Sequence, residues 1–216
     1  MIAANQRSAI FLDRDGVLNE DIGFLYRPAE LRWIGGAREA LRQINLAGAL
    51  AIVVTNQSGV ARGYYAEDDV RALHAHMAQS LAEIGARVDA FYYCPFHDEG
   101  AIPQYVVADH PDRKPNPGML LRAIADFDID PKRSLIIGDK ASDIEAGRRA
   151  GVRGVLFSGG RMDALVAKEL ETLGVSSGVQ DVISHKTNLA DARSTKFVAL
   201  GEHADQAIKG EERLFS

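Results

Sequence analysis

Asp13 and Asp15 stand two residues apart in Phe11-Leu12-Asp13-Arg14-Asp15-Gly16, and Asp139 and Asp143 stand four apart in Gly138-Asp139-Lys140-Ala141-Ser142-Asp143. Each group follows a short apolar run, the pattern of a buried strand that ends in acid. Open parallel sheets bind ligands at the carboxyl ends of their strands, so these carboxylates are expected to meet there. Gathered with little to neutralise them, they call for a hard cation such as Mg²⁺. A metal beside a nucleophilic carboxylate points to phosphoryl transfer through an aspartyl-phosphate. Asp13 is the expected nucleophile. Asp15, aimed by the sharp turn that Gly16 permits, is placed to protonate the leaving oxygen and later to take a proton from water. Alone, Asp-x-Asp-Gly reads equally well as an acidic turn that caps a strand; the other motifs decide against that.

Thr55-Asn56-Gln57-Ser58-Gly59 follows the apolar run 49–54. A hydroxyl and free backbone N–H groups at a strand end can cradle phosphate oxygens, which makes Thr55, Asn56 and Ser58 candidate phosphate-binding residues. Arg62 either reaches a second anionic group of the substrate or is a solvated surface arginine. Arg113-Lys114-Pro115-Asn116-Pro117-Gly118 places two cations ahead of a helix. Lys114 suits a compact charge that holds the nucleophile and phosphoryl oxygens together, and the fork of Arg113 suits another oxyanion. Asp139 is the expected metal ligand beside Asp13. Asp143 either orients it or reaches a metal-bound water; the bland alternative is a plain helix N-terminal acid.

These groups need a scaffold, and the chain alternates strand and helix, which argues for an α/β fold with a mostly parallel sheet. Strands are predicted at 9–12, 50–54, 90–93, 135–137 and 154–157. Helices are predicted at 36–47, 67–84, 118–127, 141–150 and 162–173. The length of 216 residues suffices for one sizeable core but leaves a second full domain cramped. The expected division is a domain over 1–183 and a polar tail over 184–216, with one candidate helix at 202–213. The tail either docks as an appendage or stays partly disordered. A net charge of −5 gives no global field for nucleic acid. The single cysteine, Cys94, excludes an intramolecular disulfide framework and suits a reducing compartment. No run approaches the roughly 20 apolar residues of a membrane span, and the first residues show no signal-peptide pattern. A cytoplasmic monomer with no nucleic-acid or membrane partner is the expectation.

With Asp13-x-Asp15, Thr55, Lys114 and Asp139…Asp143 in this order, the chain resembles the haloacid dehalogenase superfamily of phosphatases. The resemblance implies a Rossmann-like core with no large cap domain. It also implies Mg²⁺ held by Asp13, Asp15 (through its backbone carbonyl) and Asp139. Asp13-Arg14-Asp15-Gly16-Val17-Leu18-Asn19, Thr55-Asn56-Gln57-Ser58-Gly59, Arg62-Gly63-Tyr64, Cys94-Pro95, Arg113-Lys114-Pro115 and Gly138-Asp139-Lys140 are similar to the family of heptose 1,7-bisphosphate and histidinol-phosphate phosphatases. That closer likeness, over roughly 9–160, implies a small phosphorylated sugar as substrate, namely the 7-phosphate of a heptose bisphosphate. It adds Asn19 and Asp21 to the candidate substrate contacts, with Gly23 and Phe24 beside them. The alternatives are histidinol phosphate or another small phosphomonoester, and, from a different class, a non-catalytic phosphoacceptor module. Asp15 argues against the last, because a general acid/base promotes turnover.

One departure concerns a structural zinc that the family often carries ahead of its Arg-Lys pair, on Cys-x-His and Cys-x-Cys. Here Phe96 stands at the His position, and His110 and Asp112 stand at the two Cys positions. Cys94, His97, His110 and Asp112 are each able to bind zinc, but the expectation is a zinc-free loop held by packing and hydrogen bonds.

Overall fold

The computed structural model describes residues 6–175 and 196–199. Six strands and five α-helices order the described chain: β1 (Ala9–Leu12), α1 (Ala37–Leu46), β2 (Leu50–Asn56), α2 (Glu67–Ala82), β3 (Ala90–Cys94), α3 (Gly118–Phe127), β4 (Leu135–Gly138), α4 (Ala141–Arg149), β5 (Arg153–Leu156), α5 (Met162–Thr172) and β6 (Lys196–Ala199). All pairings are parallel, in the order β5-β4-β1-β2-β3-β6. The strands of a parallel sheet covered on both faces read as unbroken apolar runs. Ala9-Ile10-Phe11-Leu12 and Leu135-Ile136-Ile137-Gly138 are such runs, buried at every position.

Two hydrophobic clusters flank the sheet. On one face Ile10, Leu12, Ala51 and Val53 pack against α1, α2 and α5; on the other Phe11, Ile52 and Val54 pack against α3 and α4. Helix α1 shows why its residues form a helix there. Ala37, Ala40, Leu41 and Ile44 recur at helical spacing and are the residues it buries. Among the described residues no second domain rises over the sheet, only the loops 13–36, 57–66 and 95–117.

The strand order places the chemistry. The chain winds outward from β1 through β2 to β3 on one side and through β4 to β5 on the other. Connections leave in opposite directions at β1/β4, and such a switch opens a crevice beyond the strand ends.

Strand β2 runs two residues past its expected end, because Thr55 and Asn56 continue the ladder opposite Tyr93 and Cys94. Strand β5 begins one residue early, with Arg153 opposite Leu135. A strand the sequence pattern did not suggest, β6, lies within the 184–216 stretch and pairs with β3 from Ala90↔Lys196 to Tyr93↔Ala199. The candidate helix at 202–213 lies outside the described residues.

Candidate active site

Asp13 is the first residue after β1, and its backbone N–H still donates to Ile137 O of β4 at 3.0 Å. Its Oδ1 accepts from the Arg14 N–H at 2.8 Å and from Lys114 Nζ at 2.9 Å. No protein donor reaches Oδ2 among the described residues. Lys114 comes from the loop ahead of α3 and is almost fully buried. Its ammonium meets three acceptors: Asp13 Oδ1, Asp143 Oδ1 at 2.6 Å and Val54 O at 2.8 Å. The ammonium thus hydrogen-bonds Val54 O and pairs with two carboxylates at once. Asn56, at the end of β2, holds the loop by two hydrogen bonds: Lys114 N donates to its Oδ1 at 3.1 Å, and its Nδ2 donates to Lys114 O at 3.0 Å.

Asp143 lies in the first turn of α4. Its Oδ2 accepts from Lys140 N at 3.0 Å and so caps the helix, while its Oδ1 takes Lys114. The residue is thus a helix N-terminal acid whose second oxygen pairs with Lys114. A side chain on Gly138 would collide with that of Asp143. Gly16 has φ +85°, and a side chain there would strike Asp139. These two glycines let the acids of β1 and β4 close on one another.

Asp13, Asp139 and Asp143 offer carboxylate oxygens within 4.8 Å of one another. Asp139 Oδ1 is buried without a hydrogen-bond partner. Asp143 Oδ1, though paired in charge with Lys114, also lacks a hydrogen bond, and hard oxygen donors in this arrangement fit a divalent cation such as magnesium. Burial pushes the Asp13 carboxyl up to about 6, with Lys114 pulling it back. Burial also raises Asp139 against the pull of Lys140. For Lys114, burial acts to lower the pKa, but Asp13 and Asp143 outweigh it and hold the ammonium above its ordinary value. A bound cation favours the ionised form of every carboxylate it touches.

Asp15 sits apart from this cluster, on the other flank of the cleft. Its Oδ1 accepts from Arg14 and from Asn19 Nδ2 at 2.9 Å; its Oδ2 accepts from Arg14 Nη2 at 3.0 Å and Gln57 Nε2 at 2.9 Å. Gln57 Nε2 also donates to Thr55 Oγ1 at 2.9 Å. Asp13, Asp15, Asp21, Thr55, Asn56, Ser58, Arg113 and Lys114 line one cleft of about 440 Å³. Two expected substrate contacts lie elsewhere. Asn19 is fully buried behind Asp15, its amide donating to Asp15 and to Glu20 O. Arg62 is outside the cleft lining and pairs with His97 at 3.3 Å.

The polar residues that sequence reasoning missed are Arg14, Gln57, His74 and Lys140. Lys140 lines the cleft and bridges to Asp21 at 3.0 Å, tying the 19–27 loop to the end of β4. Its signal was available, since a lysine directly follows the metal-ligand candidate. Arg14 had none, because a lone arginine between two acids reads as solvated.

The candidate zinc set is not brought together as a cluster among the described residues; Asp13, Asp139 and Asp143 are the group that is. Phe96 stacks on His110 with ring centroids 4.0 Å apart. His110 Nδ1 accepts from Asp112 N, Asp112 pairs with Arg122, and His97 pairs with Arg62. Burial pushes the Cys94 thiol up to about 12. An aromatic stack and an ion pair thus occupy the loop where the family resemblance suggested a metal.

Comparison with known proteins gives a consistent picture. The profile of the haloacid dehalogenase-like hydrolases matches residues 12–151, and that of the HAD-hydrolase-like proteins matches 112–199. The D-glycero-beta-D-manno-heptose-1,7-bisphosphate 7-phosphatase of Rhodopseudomonas palustris is 47% identical over 78% of this chain and 93% of its own. The D-glycero-alpha-D-manno-heptose-1,7-bisphosphate 7-phosphatase of Burkholderia mallei is 48% identical over 67% and 76%. Among solved structures, the D,D-heptose 1,7-bisphosphate phosphatase of B. bronchiseptica, in complex with magnesium and phosphate, superposes with a TM-score of 0.66 at 29% identity. It covers 76% of this chain and 99% of that one.

Proposed function

Because this chain belongs to the haloacid dehalogenase-like hydrolase family, we propose that it is a magnesium-dependent phosphatase that removes the 7-phosphate of D-glycero-D-manno-heptose 1,7-bisphosphate. The substrate rests on the relatives, which are heptose bisphosphate phosphatases over most of their own length. The chemistry rests on one observation: a single buried ammonium joins Asp13 to Asp143 beside Asp139 at the mouth of the sheet.

Asp13 attacks phosphorus in line with the scissile bond and forms an aspartyl-phosphate as the bond to the sugar oxygen breaks. Asp15 gives its proton to that departing oxygen, so heptose leaves as the alcohol. Asp15 then takes a proton from water, the water oxygen attacks the aspartyl-phosphate, and inorganic phosphate leaves with Asp13 restored. Asp13, Asp139 and the Asp15 backbone carbonyl would hold magnesium, with Asp143 behind them, and the ion would supply charge neutralisation for two anionic partners that otherwise repel. Lys114 orients Asp13 through Oδ1 and offsets charge on the transferred group, and the Thr55 hydroxyl remains free to donate to a phosphoryl oxygen. Arg113, which lines both this cleft and the adjoining one of about 520 Å³, is the residue placed to meet the remaining phosphate. A cytoplasmic monomer completes the reading, its catalytic residues all within 1–183 and the sheet that carries them extended by β6. Among the described residues no helix is long and apolar enough to cross a membrane.

Phosphate release from the alpha and beta heptose 1,7-bisphosphates, beside histidinol phosphate and common sugar phosphates, tests it. A kcat/KM preference for a heptose bisphosphate is expected. Equal, weak activity on all of them would reject the substrate and keep the chemistry.

A further inference from the structure

Arg14 is a charged side chain with no exposed surface at all. Its guanidinium is enclosed by polar partners from four parts of the chain. Nε and Nη2 donate to Asp15 at 3.0–3.2 Å, Nη2 also to Leu25 O at 3.0 Å and Gln57 Oε1 at 3.1 Å, and Nη1 faces His74 Nε2 at 3.2 Å. His74 projects from α2 and stacks on Phe91 at 4.4 Å. Burial and the neighbouring Arg14 both keep this imidazole neutral, so Nε2 is the acceptor and the proton sits on Nδ1. Gln57 is oriented in turn by Tyr65, whose hydroxyl donates to Oε1 at 2.8 Å.

We propose that Arg14 is the positioning residue for Asp15, braced from behind by His74 and Gln57, and that it sets the aim of the proton-transferring carboxylate rather than the affinity for substrate. Three features carry this. The fork grips both oxygens of Asp15, which removes rotation about its carboxylate. A planar fork does this where an ammonium could not. Finally, every other guanidinium partner comes from the protein interior, so Arg14 itself is shielded from the substrate. This inference rests on the general acid/base reading of Asp15.

The experiment compares Arg14→Lys with Asp15→Asn and wild type by rapid quench, on the heptose bisphosphate and on p-nitrophenyl phosphate. A nitrophenolate leaves without a proton; a sugar oxygen does not. For Arg14→Lys we expect kcat on the sugar phosphate to fall roughly 10²-fold, the low end of what positioned proton transfer supplies, with KM nearly unchanged. On the aryl phosphate we expect a burst of about one nitrophenolate per enzyme at the wild-type rate, then slow turnover, because phosphoenzyme hydrolysis still needs the aimed base. An equal slowing of the burst and of the sugar reaction would reduce Arg14 to general architecture and overturn the proposal. If Asp15→Asn shows the burst signature and Arg14→Lys behaves as wild type, the proposal alone fails. If Asp15→Asn lacks it, the reading of Asp15 fails first. Should Arg14→Lys not fold, His74→Leu and His74→Gln carry the test: loss of sugar-phosphate turnover in the first, restored by the amide acceptor of the second, supports the brace, and wild-type kinetics in His74→Leu rejects it.

Discussion

The two flanks of the cleft solve the same problem of buried acid in different ways. On the β4 side, Asp13, Asp139 and Asp143 face one buried ammonium, Lys114; three negative charges against one positive leave two. Lys140 adds little, being half exposed, 3.9 Å from Asp139 and already engaged by Asp21. On the β2 side, Asp15 faces the buried Arg14 guanidinium alone, and no excess of negative charge is left there. The first flank is built to need a cation from outside, and the second is complete without one. In the proposed mechanism the difference separates the work: charge neutralisation and nucleophilic attack on one side, aimed proton transfer on the other.

This contrast can be attacked most directly at the nucleophile. Asp13→Asn keeps an acceptor for Lys114 and for the Arg14 N–H, so the circular dichroism spectrum should match wild type while kcat falls at least about 10⁴-fold. Substantial turnover in a clean preparation would move the chemistry to another residue. Next in size, Lys114→Met strands Asp13 and Asp143 as unpaired buried carboxylates. Urea unfolding of the metal-free protein should show a loss of about 3–5 kcal/mol, and saturating magnesium should recover part of it. An unchanged midpoint would mean that Lys114 is not what neutralises that flank.

The pH dependence sharpens the comparison further. Burial raises the Asp13 carboxyl to about 6 in the folded protein against Lys114. A group raised in this way holds its proton better folded than unfolded. Its contribution to stability is therefore complete below the ordinary carboxylate value and lost as pH rises through about 6. Proton and magnesium compete for the same oxygens. The rise in Tm on adding magnesium should thus be large near about pH 7.5 and much smaller near about pH 5; a shift independent of pH would place the metal elsewhere. The smallest effect is expected where an ion cluster lies in water. Glu145 binds Arg148 and Arg149 at 2.7 Å on the outside of α4. Glu145→Gln should leave Tm unchanged within error, because exposed pairs of this kind contribute little.

Most of the reacting set was legible because it stands at the ends of apolar runs. Asp13 follows Ile10-Phe11-Leu12 and Asp139 follows Leu135-Ile136-Ile137, so strand and acid announce each other. Lys114 was legible by its basic neighbour and the prolines after it. What escaped was whatever depends on loop closure. Arg14 is inside only because the 19–27 loop folds over it and contributes Leu25 O, and nothing local signals that. Asn19 looks like a cleft residue by position, yet the turn from Arg14 O to the N–H groups of Leu18 and Asn19 swings it behind Asp15. Strand β6 is four residues long within a polar stretch; its strand character comes from the open edge of β3, a partner about a hundred residues earlier.

That distance has a consequence for the order in which the molecule is made. Strand β3 ends at Cys94, and the strand that closes its outer edge begins at Lys196. At roughly 5–20 residues per second of synthesis, the ladder of Ala90-Phe91-Tyr92-Tyr93-Cys94 waits on the order of 5–20 s for its partner. During that interval a short, uncharged strand rich in aromatic residues offers its free N–H and C=O groups to any chain nearby. The nascent protein is thus open to mispairing along β3 until β6 ends that exposure.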